Sequence, residues 1–260
     1  MNIVIKNEKL NMTLAHKWNK ASSIWHSQKE IQVLKELLIR LELKSKASVI
    51  DVACGVGFHS LFFYDYGLNV VSCDIDEGNL KKLNISLCTR GINIPLIKAD
   101  WQTIGSIIKN KYDAVFCLGS SITYFESWNE NQEINQNNRV SKLINILENY
   151  KELMAKNASL IIGYSKHYYT DKTKTTISFG KKILEDGIYE MNWHLFFDWK
   201  EKIKKWKCEI KDHLQNDYSF SLNSHLYSLE EFQKICRHVF NTVEVIDIDE
   251  NYYDVFIICK

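Results

Sequence analysis

A doubly wound α/β fold, built on a mostly parallel sheet, follows from three features of this 260-residue chain. Short apolar runs alternate with helical segments between residues 48 and 163. A Gly-x-Gly turn stands directly after the first apolar run. Two further apolar runs close the chain with only Asp249-Glu250-Asn251 between them. Strands separated by helix-length segments must run parallel, with the helices packed on the sheet faces. A three-residue link is too short for a parallel crossover, so the last two runs form an antiparallel hairpin at the sheet edge.

The elements follow in order. Residues 1–46 read as helical, with Ile31, Leu34, Leu37, Leu38 and Leu41 at helical spacing among Lys, Glu and Arg. Strands are predicted at 48–53, 69–73, 95–98, 114–118 and 159–163, and crossover helices at 60–66, 77–90 and 140–153. Residues 170–228 break the alternation. Runs at 188–199, 202–213 and 218–227 predict an antiparallel insertion of about three strands, joined by Glu185-Asp186-Gly187 and Gln215-Asn216-Asp217. A helix follows at 229–240, opened by Ser228 with Glu231 three residues on, a capping-box pattern. The hairpin strands are 242–248 and 252–259. Seven strands therefore make the main sheet. The expected division is a helical lid at 1–46, a core of 47–169 with 228–260, and an antiparallel cap at 170–227, all within one structural domain.

Composition excludes several function classes. Lys and Arg number 33 against 32 Asp and Glu, a net charge of +1, without the basic excess of a nucleic-acid binder. No run of 18 apolar residues marks a membrane span, and the first residues lack a secretory apolar segment. A soluble cytoplasmic protein is expected. The seven cysteines include no Cys-x-x-Cys pair and mostly sit in apolar runs, which reads as reduced core thiols. No His-x-x-x-His spacing occurs and no metal site is expected. Lys200–Lys211 carries six lysines around Trp206, but two glutamates interrupt it and it reads as a solvated strand face.

The chemistry concentrates after the strands. In Val49-Ile50-Asp51-Val52-Ala53-Cys54-Gly55-Val56-Gly57 a buried strand runs into a turn whose glycines let a ligand approach the backbone. The second strand ends in Asp74, where a carboxylate accepts hydrogen bonds from both hydroxyls of a ribose. Lys98-Ala99-Asp100-Trp101 follows the third strand and supplies a carboxylate for an adenine amino group beside an aromatic cover. An adenosine-containing ligand at the carboxyl edge of the sheet is the result. A dinucleotide motif wants glycine where Ser60 stands, and Asp51 is placed to meet a cationic amine. Both details favour S-adenosylmethionine over a nicotinamide cofactor.

These segments, with Tyr112-Asp113-Ala114-Val115-Phe116-Cys117-Leu118-Gly119-Ser120-Ser121, resemble class I S-adenosylmethionine-dependent methyltransferases, in particular the glycine N-methyltransferase branch. The resemblance covers residues 15–164 well. It implies a Rossmann-like fold and a product S-adenosylhomocysteine. It also implies that Asp51, Ala53, Gly55 and Gly57 bind the cofactor at its methionine end, Asp74 the ribose, Ile75 the adenine face, and Asp100 with Trp101 the adenine edge. Leu118 is then beside the sulfonium. The chain departs from that branch at two places. Ser120 stands where the glycine enzymes have asparagine, and Ser165 stands nearest to an arginine that grips the substrate carboxylate. Ser120, Ser121, Tyr124, Tyr164, Lys166 and His194 are the acceptor-site candidates. No residue is identified as a catalytic base, which favours a small-molecule amine over a hydroxyl. The rival readings are an O-methyltransferase, marked by a base near Leu118, a non-catalytic S-adenosyl-ligand sensor, and a nicotinamide oxidoreductase. Oligomeric state is not legible in the sequence.

Overall fold

A computed structural model describes residues 13–128, 130, 132–166, 173–184, 186–213 and 217–260. Two sheets make its framework. The larger has seven strands: β1 (Ser48–Asp51), β2 (Asn69–Asp74), β3 (Leu96–Lys98), β4 (Tyr112–Cys117), β5 (Met154–Ser165), β10 (Val243–Ile246) and β11 (Asp254–Cys259). Their order is β10-β11-β5-β4-β1-β2-β3. β3, β2, β1, β4 and β5 run parallel, whereas β11 is antiparallel to both β5 and β10. The expected terminal hairpin therefore pairs directly, and its second strand inserts beside β5.

The parallel strands are apolar on both faces because helices cover both. α3 (Phe58–Asp65) and α4 (Glu77–Arg90) follow β1 and β2; the one-turn α5 (Ile104–Ile107) and α6 (Arg139–Lys151) follow β3 and β4. Before the sheet come α1 (Leu14–Trp25) and α2 (Gln28–Arg40). Thr13 and Ser27 cap them, each accepting a backbone N–H three residues on. α2 buries Val33, Leu34, Leu37 and Leu38, each contributing about 1.5–3 kcal/mol of gross apolar burial. The part of the helical reading over residues 1–12 lies outside the described residues. The final helix, α7 (Leu229–Cys236), is opened by Ser228, whose Oγ accepts from the Glu231 N–H as the capping pattern predicts.

The second sheet is an antiparallel meander of β6 (Lys174–Leu184), β7 (Gly187–Asp198), β8 (Ile203–Asp212) and β9 (Asp217–His225). It has four strands rather than the expected three. β6 escapes a period-2 reading because a bulge between Ser178 and Lys181 shifts its register against β7. Thr175, Ile177 and Phe179 are half-buried before Gly180, and Lys182 and Leu184 after it, so the inward parity flips within the strand.

Gly57, the last turn residue before α3, has φ +95°. A Cβ there would lie 2.2 Å from Leu83 Cδ1 on α4. The glycine thus serves helix packing and backbone geometry. G57A is expected to destabilise the fold by about 1–3 kcal/mol. In denaturant titrations, G57A/L83A is expected to cost less than the sum of the single variants, because Leu83 supplies the clash. Strict additivity would contradict this.

Candidate active site

The chain runs outward from β1 through β2 to β3, then returns to place β4 and β5 on the other side of β1. The order therefore reverses between β1 and β4, where diverging connections leave a crevice at the carboxyl edge. A cavity of about 250 Å³ occupies that position. Ala53 and Gly55 after β1, Asp74 and Ile75 after β2, Asp100 and Trp101 after β3, and Ser121 and Tyr124 after β4 line it together. Each strand end thus supplies one part of a single groove.

The groove is held by its own backbone. Gly55 has φ +54°, and a Cβ there would meet nothing closer than Trp18 Nε1 at 3.6 Å. The Gly55 N–H donates to Asp74 Oδ2 and the Asp76 N–H to Asp74 Oδ1, both at 2.8 Å. Burial pushes the Asp74 carboxyl up to about 6 despite these bonds. Asp100 Oδ1 accepts from the Gln102 N–H at 2.8 Å, and Trp101 Nε1 donates to the Val52 carbonyl, fixing the indole across the groove. Asp51 lies beneath: fully buried, it accepts from Ser60 Oγ at 2.8 Å and is not part of this cavity's lining. Ser72 Oγ donates in turn to Ser60 Oγ, so the serine at the third glycine position anchors a buried carboxylate.

A second cavity, of about 60 Å³, adjoins the first and shares Trp18 and Tyr124 with it. Its floor is Gly119, Ser120, Ser165 and Asp254; its walls are Trp25, Trp193, Trp206 and Lys204. Gly119 and Ser120 have φ +65° and +56°. Left-handed geometry is costly for serine, and Ser120 Oγ holds it by accepting from the Ser165 N–H at 2.8 Å. Leu118 and Gly119 also line a small cleft with Gly55, His26 and His59, which opens beside both cavities.

Three sequence candidates lie elsewhere. Tyr164 is fully buried and its hydroxyl donates to the Tyr227 carbonyl at 2.7 Å, against Phe232 of α7. Lys166 Nζ bonds Asp247 and the Asp249 carbonyl, in the hairpin of β10 and β11. His194 sits between Thr176 and Glu209, on the sheet face opposite Trp193 and Leu195. β8 has the solvated lysine face expected, with Lys204 as the exception. Lys204, Trp206, Cys208 and Ile210 point inward while Lys205, Lys207 and Lys211 face solvent. Applying the two-residue period to Lys204-Trp206-Cys208-Ile210 would have found Lys204, which is only 6% exposed. Asp254 carried no such signal, standing at the first position of an apolar strand.

Residues 49–142 match the family described as a methyltransferase domain. Over those residues the chain is similar to methyltransferase domains. Glycine/sarcosine N-methyltransferases are similar over part of the chain. That of Parasynechococcus marenigrum is 35% identical over 101 residues, covering 38% of this chain and 35% of that protein. That of Aphanothece halophytica is 30% identical over 112 residues, covering 43% and 41%. The matched stretch thus spans less than half the length of these relatives. The fold extends further. An amino pentose methyltransferase of Micromonospora echinaspora involved in calicheamicin biosynthesis superposes with TM-score 0.70 over 94% of this chain and 96% of that one, at 13% identity. A methyltransferase of Clostridium acetobutylicum gives 0.68 over 95% and 96%, also at 13%.

The region 49–142 is tied to α1 and α2 by a buried relay. Glu30 bridges His26 Nδ1 at 2.7 Å and His59 Nε2 at 3.0 Å. These three residues are close enough together to hold a metal ion, but the mutual hydrogen bonds already account for the arrangement. Burial opposes the Glu30 charge, yet its two histidine bonds hold the carboxyl well below its ordinary range. Burial likewise opposes the His59 charge, and the Glu30 contacts outweigh it, raising this imidazole above 6.5. His26 is the opposite case, pulled down mainly by burial. A lowered carboxyl stabilises the fold above its ordinary value of 4.5, and a raised imidazole does so below 6.5. E30Q is therefore expected to cost most between these values, about 3 kcal/mol. The penalty should shrink as pH rises and His59 loses its proton. Melting temperatures against pH check this; a penalty independent of pH would contradict it.

Proposed function

We propose that the protein is an S-adenosylmethionine-dependent methyltransferase that transfers the methyl group to a small-molecule amine. One observation carries the reading. The carboxylates Asp74 and Asp100 and the covers Ile75 and Trp101 line one groove that leads past Ser121 and Tyr124 into a separate aromatic cavity. Such a groove suits a ligand with a ribose, an adenine and a reactive end. In support, both carboxylates line the groove, and the Gly55 position leaves room for a ligand against the backbone. Asp74 would hold the ribose, Asp100 the adenine amine, Trp101 and Ile75 the ring, and Ala53, Gly55 and Leu118 the methionine end. Asp51 and Gly57 act from behind, through Ser60 and Leu83.

The bound sulfonium supplies an activated methyl group with its leaving group already in place. The chain's task is then positioning and exclusion of water. Trp18, Trp25, Trp193 and Trp206 enclose the acceptor cavity, and Tyr124 stands between it and the cofactor groove. Its small volume favours an acceptor of few heavy atoms. The relatives named as glycine/sarcosine N-methyltransferases support nitrogen as the acceptor atom. One observation favours a hydroxyl acceptor as the second reading: the Asp254 carboxylate stands beside Leu118 and Gly119.

S-adenosylhomocysteine release, measured with glycine, sarcosine, other amino acids, biogenic amines, amino sugars and phenols, tests the reading; turnover confined to phenols would overturn the nitrogen assignment. D74A is expected to weaken S-adenosylhomocysteine binding about 10–100-fold, the worth of hydrogen bonds to a charged group. Calorimetry on wild type and variant checks this.

A further inference from the structure

The acceptor cavity contains one buried carboxylate to which the amine reading assigns no role. Asp254 opens β11 and is 3% exposed. It pairs with Ser165 across the strands, at the carboxyl end of β5. A Cβ on Gly163 would lie 3.0 Å from the Gly119 N, 3.2 Å from Leu118 Cα and 3.2 Å from Asp254 Oδ2. Gly163 thus lies between the carboxylate and the Leu118–Gly119 turn, with no side chain to fill the gap. In the proposed function that turn adjoins the reacting sulfur, and Asp254 lines the acceptor cavity with Trp18, Trp25 and Tyr124. A carboxylate is an expensive group to bury beside apolar rings unless a cation meets it there.

We infer that Asp254 is a catalytic residue: it binds the acceptor's ammonium group in the aromatic cavity and takes its proton before methyl transfer. The inference rests on the function proposed above. The proton moves from nitrogen to an Asp254 oxygen, freeing the nitrogen lone pair. That pair forms the new N–CH3 bond as the S–CH3 bond breaks, and the sulfur leaves neutral with the bonding electrons. The methylated nitrogen is left with a positive charge and the Asp254 carboxyl neutral until its proton passes to water.

The surroundings tune Asp254 for this task. Burial and the neighbouring Glu30 push its carboxyl up, to about 8, while Lys204, His59 and Lys166 pull the other way. Tyr252 and Tyr253 precede it with hydroxyls themselves held neutral by burial. Proton transfer from an aliphatic ammonium, whose ordinary value is about 10, is then uphill by only about 100-fold. A hydroxyl acceptor would present a far larger gap. Lys204, buried on β8 across the same cavity, acts as a positioning residue that favours the ionised carboxylate which an ammonium needs.

The probe is ethylammonium chloride, added to full-length protein saturated with S-adenosylhomocysteine. The Asp254 carboxyl is followed by carbon NMR against pH. Ethylammonium is expected to shift the Asp254 titration downward by at least one pH unit, and D254N is expected to bind ethylammonium at least tenfold more weakly. An Asp254 titration unmoved by ethylammonium would overturn the assignment; should D254N fail to fold, this wild-type measurement decides alone. S-adenosylhomocysteine binding is read in the same samples. Its failure would sink the proposed function, whereas its success with an unmoved Asp254 would sink only this inference. With any amine that turns over, D254N is expected to lower kcat at least tenfold and D254E to recover part of it. A merely structural role for Asp254 would instead leave the acidic limb of the wild-type pH profile unchanged in D254E.

Discussion

The reversal of strand order between β1 and β4 is the constraint on which the rest depends. Parallel strands joined by crossover helices must deliver their carboxyl ends to one edge, and the reversal parts the connections there. Residues far apart in sequence, from Gly55 to Tyr124, become neighbours along one groove. The antiparallel β11 then adds something a purely parallel sheet would lack. Its amino end, not its carboxyl end, reaches the functional edge, which is how Asp254 arrives beside Leu118 and Gly119.

Enclosure comes from a different source. α1 brings Trp18 and Trp25, and the second sheet brings Trp193, Leu195, Lys204 and Trp206, over the carboxyl edge. Trp18 packs edge-on against Trp25, Trp128 and Trp206, and Trp193 against Trp25 and Trp206. Edge-to-face packing gives rigid walls from large side chains with few rotatable bonds. The indole N–H groups of Trp25 and Trp206 are buried with no hydrogen-bond partner, polar atoms in an otherwise apolar wall. The cavity is thus small and lined by two ionisable side chains, Asp254 and Lys204, a setting in which a buried carboxylate retains a large influence on any cation that enters.

The seven-stranded sheet, its hairpin and the groove residues on strand ends were legible in the sequence because they follow local rules. Gly55, Asp74, Asp100 and Trp101 each stand within a few residues of a strand terminus, where backbone geometry decides what faces the edge. The acceptor cavity was not legible in the same way. Tyr164 looked like a wall residue but sits on the buried face of β5, because the strand continues further than its apolar run suggested. Lys166 was drawn into the hairpin by Asp247, a pairing of residues 81 apart that no periodicity announces. Lys204 was hidden among solvent-facing lysines, and β6 behind a bulge that reverses its parity. Asp51 shows a subtler divide: its place ahead of the glycines was read as one for meeting a cationic amine, whereas its buried bond from Ser60 makes it a support of the turn from below.

The central claim is that one continuous groove holds an adenosyl ligand with its reactive end turned toward the aromatic cavity. A crystal structure of the protein soaked with S-adenosylhomocysteine tests it most directly. The account predicts adenine beside Ile75 and Trp101 with its amine on Asp100, ribose hydroxyls on Asp74, and the sulfur facing Gly119, Tyr124 and Asp254. Ligand density in another place, or in the groove with the sulfur turned away from Tyr124 and Asp254, would contradict it.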